Sequence, residues 1–328
     1  MTADSQRKIT DEDIIKFWKE TPSVSAIAKK TGIQARTIQA RVATLRSRGA
    51  KLDSPDPRSP YWDKSPLWGH YQDLDQHPGS ISLSVIDGTV LIGSDSHYWP
   101  GIVTTAHRGF VYLTKKLQPK VIVKNGDVMD FPKLSRFAPI GWENRPDVVN
   151  EIETSQERMK EIQQAAPNAE RCWPVGNHDA RYETKLATIA PEYAKVNGVH
   201  LKDHFPFWRP CWQVMINEDT IIKHRFKSGI HAPHNNTMWA GKTIVTGHLH
   251  SLKVMPVSDL NGTRWGVDCG TLADPYGPQF YNYTEMNPVN WRSGFAVLTY
   301  KDGELLWPEI AFVRGDGVID FRGEKISV

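Results

Sequence analysis

The chain has 328 residues, enough for one large core plus a small extra module at about 100 to 200 residues per domain. Its three cysteines, Cys172, Cys211 and Cys269, form no Cys-x-x-Cys pair, which argues against a disulfide framework or a cysteine-built zinc knuckle and fits a reducing, cytoplasmic compartment. No apolar run approaches the roughly 18 residues of a membrane span, and Met1 to Thr10 lacks the apolar segment of a signal peptide, so no membrane partner is expected.

The net charge of +3 is unevenly placed: residues 1–52 carry six Lys and five Arg against five acids, a net +6, and the remainder carries −3. From Val24 to Leu52 there are seven basic residues and no acid, the footprint expected for a polyanion partner.

Asp11 to Glu20 has an acidic start and apolar Ile14, Ile15, Phe17 and Trp18, the pattern of an amphipathic helix. After a Thr-Pro-Ser break, Val24, Ile27 and Ala28 predict a second helix ending at Gly32, and Ile38, Val42 and Leu45 a third from Gln34 to Ser47. The spacing of Ala28, Gly32 and Ile38 resembles a helix-turn-helix, with a small residue at the helix crossing and glycine in the turn. Gln34, Arg36, Thr37 and Arg41 would then face a DNA groove, while Lys29, Lys30, Arg46 and Arg48 meet phosphates. The alternative is a small bundle whose basic face is solvated or contacts protein. Such modules often pair, so a homodimer is also considered.

Residues 53–80 hold five prolines with Tyr61, Trp62, Trp68 and Tyr71, a linker expected to lie along the larger domain, residues 81–328. From Ile81 the chain turns to short strands. Ile81, Leu83 and Val85 alternate up to an Asp87-Gly88 hairpin turn, and Val90-Leu91-Ile92 reads as a buried strand. Helices predicted at 105–118 and 146–165 each lead into another strand, the βαβ alternation of an α/β sheet. A helical region near 180–195 follows. Hairpins are expected around Asn217-Glu218-Asp219, Asn261-Gly262 and Asp302-Gly303, and the tail should finish a second sheet. Gly241-Lys242-Thr243 mimics the end of a P-loop, but it precedes a strand and lacks the earlier glycine.

Strand ends carry Asp95-x-His97, Gly126-Asp127-x-x-Asp130, Gly176-Asn177-His178-Asp179, a lone His224, and Gly247-His248-x-His250, in that order. Oxygen and imidazole donors without thiolate suit Mn, Fe, Zn or similar ions and suit a structural zinc site poorly. Glycine before the motifs lets the backbone bend.

Together these five parts resemble the signature of the calcineurin-like metallophosphoesterases, across about residues 90–250. The resemblance implies a four-layer α/β/β/α sandwich, joined here to a small all-α N-terminal helix-turn-helix domain. It implies one ion held by Asp95, His97, Asp127 and His250 and another by Asp127, Asn177, His224 and His248, with Asp127 the bridge. Two divalent ions are implied, Mn first, with Fe, Zn, Ni, Co or Mg as other candidates. His178 becomes the candidate acid, oriented by Asp130, against the alternative that it packs the loop. Arg181, Arg225 and Lys227 are candidate phosphate contacts; the family more often has Gly where Arg225 stands, and His231 and His234 are nearby substitutes for His224.

The function expected is two-metal hydrolysis of phosphoesters, with DNA as substrate of a phosphodiesterase or nuclease. The alternatives are a phosphomonoesterase or small-nucleotide hydrolase, cyclic nucleotides included, and a DNA-binding regulator with an inactive phosphoesterase domain. The domain pairing suggests a phage or bacterial origin.

Overall fold

The computed structural model describes residues 9–21, 23–47, 50, 52, 77–285 and 287–328, with the backbone alone for Ser25, Arg36, Ala43, Arg46 and Ser47. The chain divides into two compact units, Met1–Gln76 and His77–Val328. The aromatic linker residues Tyr61, Trp62, Trp68 and Tyr71, together with Arg48 and His70, lie outside the described residues.

The small unit contains α1 (Asp11–Glu20), α2 (Val24–Thr31) and α3 (Ala35–Ser47). Thr10 and Asp13 form a reciprocal capping box at the start of α1, which satisfies two otherwise orphaned backbone donors. Ser23 caps α2, and Gly32 ends it in a left-handed conformation (φ 70°). Ile14, Trp18, Ile27, Ile38, Val42 and Leu45 close one apolar core between the helices. The guanidinium of Arg41 is bonded to Asp11 Oδ1 and to the Ile9 carbonyl (2.8 Å). This corrects the reading of Arg41 as a groove contact: it braces α3 against the start of α1. Gln34 and Thr37 are exposed, and Lys30 pairs with Glu20 at 2.8 Å.

In the large unit β1 (Ile81–Leu83) and β2 (Gly88–Gly93) are followed by α4 (Thr105–Leu117), β3 (Val121–Lys124), α5 (Val148–Ala165) and β4 (Glu170–Pro174). Next come α6 (Ala180–Ile189), α7 (Leu201–His204), β5 (Arg209–Cys211), β6 (Val214–Ile216), β7 (Thr220–Ile222) and α8 (Ala232–Ala240). The chain then forms β8 (Thr243–Thr246), β9 (Lys253–Asp259), β10 (Gly262–Asp268), α9 (Pro278–Thr284) and β11 (Gly294–Lys301). It ends with β12 (Glu304–Leu305), β13 (Glu309–Gly315), β14 (Val318–Phe321) and β15 (Glu324–Ser327).

Two mixed sheets result. One has the order β1-β6-β7-β8-β10-β9; the other runs β15-β14-β13-β11-β2-β3-β4-β5, with β12 paired to β11. Strands β2 to β5 are mutually parallel, as the intervening α4 and α5 require. Two expectations are corrected. Asp87-Gly88 is no hairpin, because β1 pairs in parallel with β6 while β2 enters the other sheet, so the turn carries the chain between sheets. Short β1 tolerates an edge, whereas Val90-Leu91-Ile92 is buried throughout and belongs in a sheet interior. The tail does not finish a sheet separate from that of β2 to β5: β11 pairs antiparallel with β2 (Val297 opposite Leu91), so the last strands extend that same sheet.

Alternation along the central strands decides the packing. Val90, Ile92, Val123, Ala296 and Leu298 face Val214, Ile222, Val245 and Val267 of the other sheet. Leu91, Ile122, Phe295 and Val297 point the opposite way, onto Phe110, Leu113, Met159 and Ile162 of α4 and α5. Helix α8 covers the other sheet through Ala240 against Ile221 and Ile244. The loops after β2, β3, β4, β7 and β8 therefore emerge at the carboxyl ends of core strands, carrying the five motifs.

All three thiols are buried at 0% exposure, and burial pushes Cys172 and Cys211 up to about 11 and about 12. Native protein should give no rapid reaction with Ellman's reagent at pH 8, and denaturant should release three equivalents. A fast native equivalent would show that a core strand is misplaced.

Candidate metal centre

Donor atoms of Asp95, His97 and His250 lie within 4.8 Å of one another, as do those of Asp127, His224 and His248. Backbone bonding joins the loops of the two clusters, with the His97 N–H donating to the Asp127 carbonyl at 3.1 Å. Asp95 Oδ1 is 3.0 Å from His250 Nε2, and Asp95 Oδ2 accepts the His248 backbone N–H at 2.8 Å. Asp127 Oδ1 accepts the His178 backbone N–H at 2.8 Å, leaving Oδ2 3.1 Å from His224 Nε2 without hydrogen-bond alignment. His224 Nδ1 donates to the Asn125 carbonyl at 2.7 Å, which fixes the tautomer with Nε2 turned toward Asp127.

The donor set fits divalent cations on a specific observation. Among the described residues, His97 Nε2, His224 Nε2, His250 Nδ1 and Asn177 Oδ1 are buried without a hydrogen-bond partner, a costly arrangement unless an ion takes them up. His97 donates its other nitrogen to Asp130 Oδ1 at 2.9 Å, the outer carboxylate that commonly orients a ligating imidazole.

Five of these residues occupy left-handed backbone: Asp95 (φ 51°), His97 (39°), Asp127 (50°), His248 (70°) and His250 (55°). Such conformations cost roughly 1–3 kcal/mol each outside glycine and concentrate at functional sites, and Asp and His tolerate them better than most residues. The motif glycines have a different reason from a sharp bend at two of three positions. Gly126 does need its φ of 81°, but at Gly176 a Cβ would lie 2.1 Å from Asp127 Oδ1, and at Gly247 1.9 Å from Ser94 Oγ. Gly176 leaves room for the Asp127 carboxylate, and Gly247 for the Ser94 hydroxyl and the Asp95 carboxylate, whose Oδ2 would be 2.6 Å from that Cβ.

His178 stands beside the clusters. Its Nδ1 donates to the Asp130 backbone carbonyl at 3.0 Å and lies 2.8 Å from Oδ1, the carboxylate oxygen that accepts from His97. Burial opposes charge on His178, as does Arg181, whose Nη2 is 3.3 Å from Nε2, but Asp127 and Asp130 outweigh both and raise its pKa above the ordinary 6.5. Burial would lift the Asp95 carboxyl, yet His250 and His224 hold it at about 2. Asp127 is likewise well below the usual range, with His224 and His178 overcoming burial. His224, against burial, is raised to about 10 by Asp127 and Asp95; His248 falls to about 4 through burial and the charge of His224.

Arg181 also donates to the Asp130 carbonyl at 2.8 Å and lines the cavity above the centre. Arg225 and Lys227 are not among the residues lining it. Lys227 Nζ sits 3.3 Å over the Trp239 ring, which corrects its reading as a phosphate contact, whereas Arg225 bears on the charges of His248 and Lys223. His231 and His234 are exposed, while His224 is buried in the cluster.

Three supporting residues have no role in the sequence reading, although Asp179 stands within one of its motifs. Asp179 accepts four N–H groups, from Val128 (2.8 Å), Met129 (3.3 Å), Gly176 (2.9 Å) and the Trp173 ring (3.0 Å), tying two motif loops together. Glu151 of α5 accepts the Asp130 and Phe131 N–H groups at 3.2 and 2.8 Å, and burial raises it to about 8. Lys124, 0% exposed, reaches Ser96 Oγ and the Tyr98 hydroxyl (3.2 Å). The one available signal was a charged residue closing the apolar run Val121-Ile122-Val123.

In its ordered motifs and its cluster of histidines and aspartates, the chain resembles the calcineurin-like metallophosphoesterases. No protein-family profile matches it. The Gene 54 proteins of Mycobacterium phages D29 and L5 are each 26% identical to it, over 227 and 240 residues, covering 60% of this chain and 83% of theirs. Among solved structures, Entamoeba histolytica Vps29 complexed with Zn2+ is similar at TM-score 0.38 and 15% identity, covering 73% of this chain and 98% of that one. An archaeal phosphodiesterase gives 0.36 at 14% identity (68% and 99% covered), and a Danio rerio dimetal phosphatase 0.34 at 10% (74% and 99%). At these TM-scores the site stands on its own side chains.

Gly176→Ala should drive a methyl into Asp127 and lower bound metal by at least half in elemental analysis, with the circular dichroism spectrum retained. Full metal content would place the carboxylate elsewhere.

Proposed function

We propose that the chain is a two-metal phosphoesterase, acting as a phosphodiesterase or nuclease on DNA with Mn as the working ion. The observation that supports it most is the pair of donor clusters sharing one buried centre, with four donor atoms left without a hydrogen-bond partner among the described residues. Asp95, His97, Asp127 and His250 would hold one ion, and Asp127, Asn177, His224 and His248 the other. Bound there, the ions would supply Lewis acidity toward the phosphoryl oxygens and a lowered pKa for an attacking water.

His178 is the residue placed to move a proton. It lines the cavity, and Asp130 fixes its ring. Asp127 and Asp130 raise its pKa against burial, which favours the protonated ring that an acid for a leaving alkoxide must be. Arg181, on the same side, is the cation we assign to a non-bridging phosphate oxygen. We read the helix, sheet, sheet and helix contacts as a four-layer α/β/β/α sandwich. We read α1 to α3 as a helix-turn-helix that delivers DNA by phosphate contact, with Gln34, Arg36 and Thr37 toward the groove. A homodimer remains part of that reading.

Hydrolysis of bis-p-nitrophenyl phosphate with Mn is the direct test. Asp127→Asn should lose both ions and activity, whereas Asp130→Asn should keep most metal and lose turnover; equal metal loss in the two would show that their roles are wrongly divided. Rate against pH adds a second check. An acid works only while protonated, so kcat should fall as pH rises through the raised pKa of His178, and His178→Asn should lose that limb together with about 10²–10⁴ in rate. Turnover of p-nitrophenyl phosphate with none of the diester would assign a monoesterase instead.

The helical unit has its own test. In the full chain, Gln34→Ala with Thr37→Ala should weaken binding to duplex DNA severalfold, with a steep salt dependence in the parent. Salt-insensitive or absent binding of the parent at low salt would remove DNA delivery from the reading.

A further inference from the structure

A cavity of about 1100 Å³ opens above the metal centre, and its walls are unlike a polyanion groove. One lip comes from the loop after β3 and carries Phe137; the other comes from α9 and its approach, and carries Tyr276, Tyr281 and Tyr283. These rings are 66%, 84%, 61% and 73% exposed, a large apolar area to leave in water without a ligand. Behind them Phe280 is buried, with its centroid 5.0 Å from the His97 ring and 5.5 Å from that of His250, so the aromatic lip is built directly onto two of the donor residues.

Charge separates the possible occupants. Among the described residues lining the cavity, the Lys and Arg cations are Arg145 and Arg181; Arg181 serves the single phosphate assigned to it above, and both are already braced by protein groups. Arg145 bonds to Glu143 (2.7 Å) and the Pro132 carbonyl (2.9 Å), and Arg181 to the Asp130 carbonyl. A duplex held by its two backbones needs a track of free Lys and Arg. Exposed rings on either side of a phosphate site instead match bases that are free to stack, and the side-chain amides of Asn144 and Asn282 can meet base edges. The volume exceeds what one nucleotide fills.

We propose that the two lips stack the unpaired bases flanking the scissile phosphate, so that the substrate is a single-stranded polynucleotide. This rests on the phosphoesterase reading and adds the substrate's strandedness and the residues that select it, Phe137 and Tyr281 foremost. Among the described residues the aromatic rings packed on His97 and His250 are those of Phe280 and Trp291, so replacing Phe137 or Tyr281 is expected to leave the centre intact.

The test compares three labelled substrates on the full chain with Mn: a hexathymidylate, the same strand made abasic, and its duplex with hexaadenylate. The parent should show a KM for the thymidylate at least tenfold below that for the abasic strand and below that for the duplex. Phe137→Ala and Tyr281→Ala should each raise the thymidylate KM about tenfold with kcat retained, and leave the abasic strand unchanged. Equal KM for the thymidylate and abasic strands, equal losses on both in the variants, or preference for the duplex would overturn the proposal. Bis-p-nitrophenyl phosphate keeps the two readings apart, since its turnover alongside any of those results leaves the phosphoesterase reading standing. Were no phosphoester turned over, fluorescence anisotropy in EDTA would decide stacking alone. Tighter binding of the thymidylate than the abasic strand, lost in Phe137→Ala, supports it; equal binding overturns it.

Discussion

Three carboxylates buried within one small volume govern the large unit. Asp95, Asp127 and Asp130 are at most 7% exposed, and burying a carboxylate costs several kcal/mol unless positive charge and hydrogen bonds compensate. The surrounding imidazoles and backbone N–H groups provide part of that compensation. The opposite shifts of two neighbouring rings show how strong the demand is. His224, between Asp127 and Asp95, holds a proton to about 10, while His248, facing His224, releases its own at about 4. The field selects one ring for the charge. Divalent cations reaching the same donor atoms would answer the same demand, with ligand nitrogens that are neutral instead of protonated.

Such a field needs a backbone that holds its donors against repulsion, and regular strands cannot do this. A strand aims successive side chains to opposite faces, so Asp95 with His97, or His248 with His250, converge only where the backbone leaves the β region. Left-handed φ at these residues accomplishes that turn. The strain is held in place by Asp179 and Glu151, which gather the N–H groups of the loops after β3 and β4, and by the two-sheet core beneath. Asp179 remains buried with its pKa raised to about 6, chiefly by burial and then by Asp127, so even the brace is set by the same carboxylate cluster.

Legibility in the sequence follows the range of the physics involved. Helices α1 to α5 were readable because capping residues and apolar spacing act within a few residues, and the order of donor motifs was readable because each spans a handful of positions. Strand partners were not. The short alternation over Ile81–Leu83 is satisfied equally by a hairpin with β2 or by the parallel pairing with β6 that forms, and nothing within ten residues distinguishes them. Arg41 read as a surface cation because its partner Asp11 lies 30 residues away in the chain, with α1 and α2 between them. Lys227 failed for a similar reason, since Trp239 lies on α8. The aromatic lips were invisible as a set: Phe137 and Tyr281 are far apart in sequence and meet only across the cavity.

Lys124 shows how far the central constraint reaches. It is the last residue of β3, and alternation places its side chain on the same face as Ile122, toward α4 and away from the donors. That face offers the rings of Tyr98 and Phe110, 4.9 and 5.7 Å from Nζ, and little else polar beyond Ser96 and the Tyr98 hydroxyl. Burial accordingly lowers its pKa to about 7, while Asp179, Asp95 and Cys269 pull the other way. A residue so poorly placed for its charge is explained by what it ties down: Ser96 sits between Asp95 and His97, both in left-handed backbone, and Tyr98 follows them. An apolar side chain of the same length would fill the space but would not anchor that loop. The cation behind the sheet and the donors in front of it therefore belong to one electrostatic unit, joined through three residues of backbone.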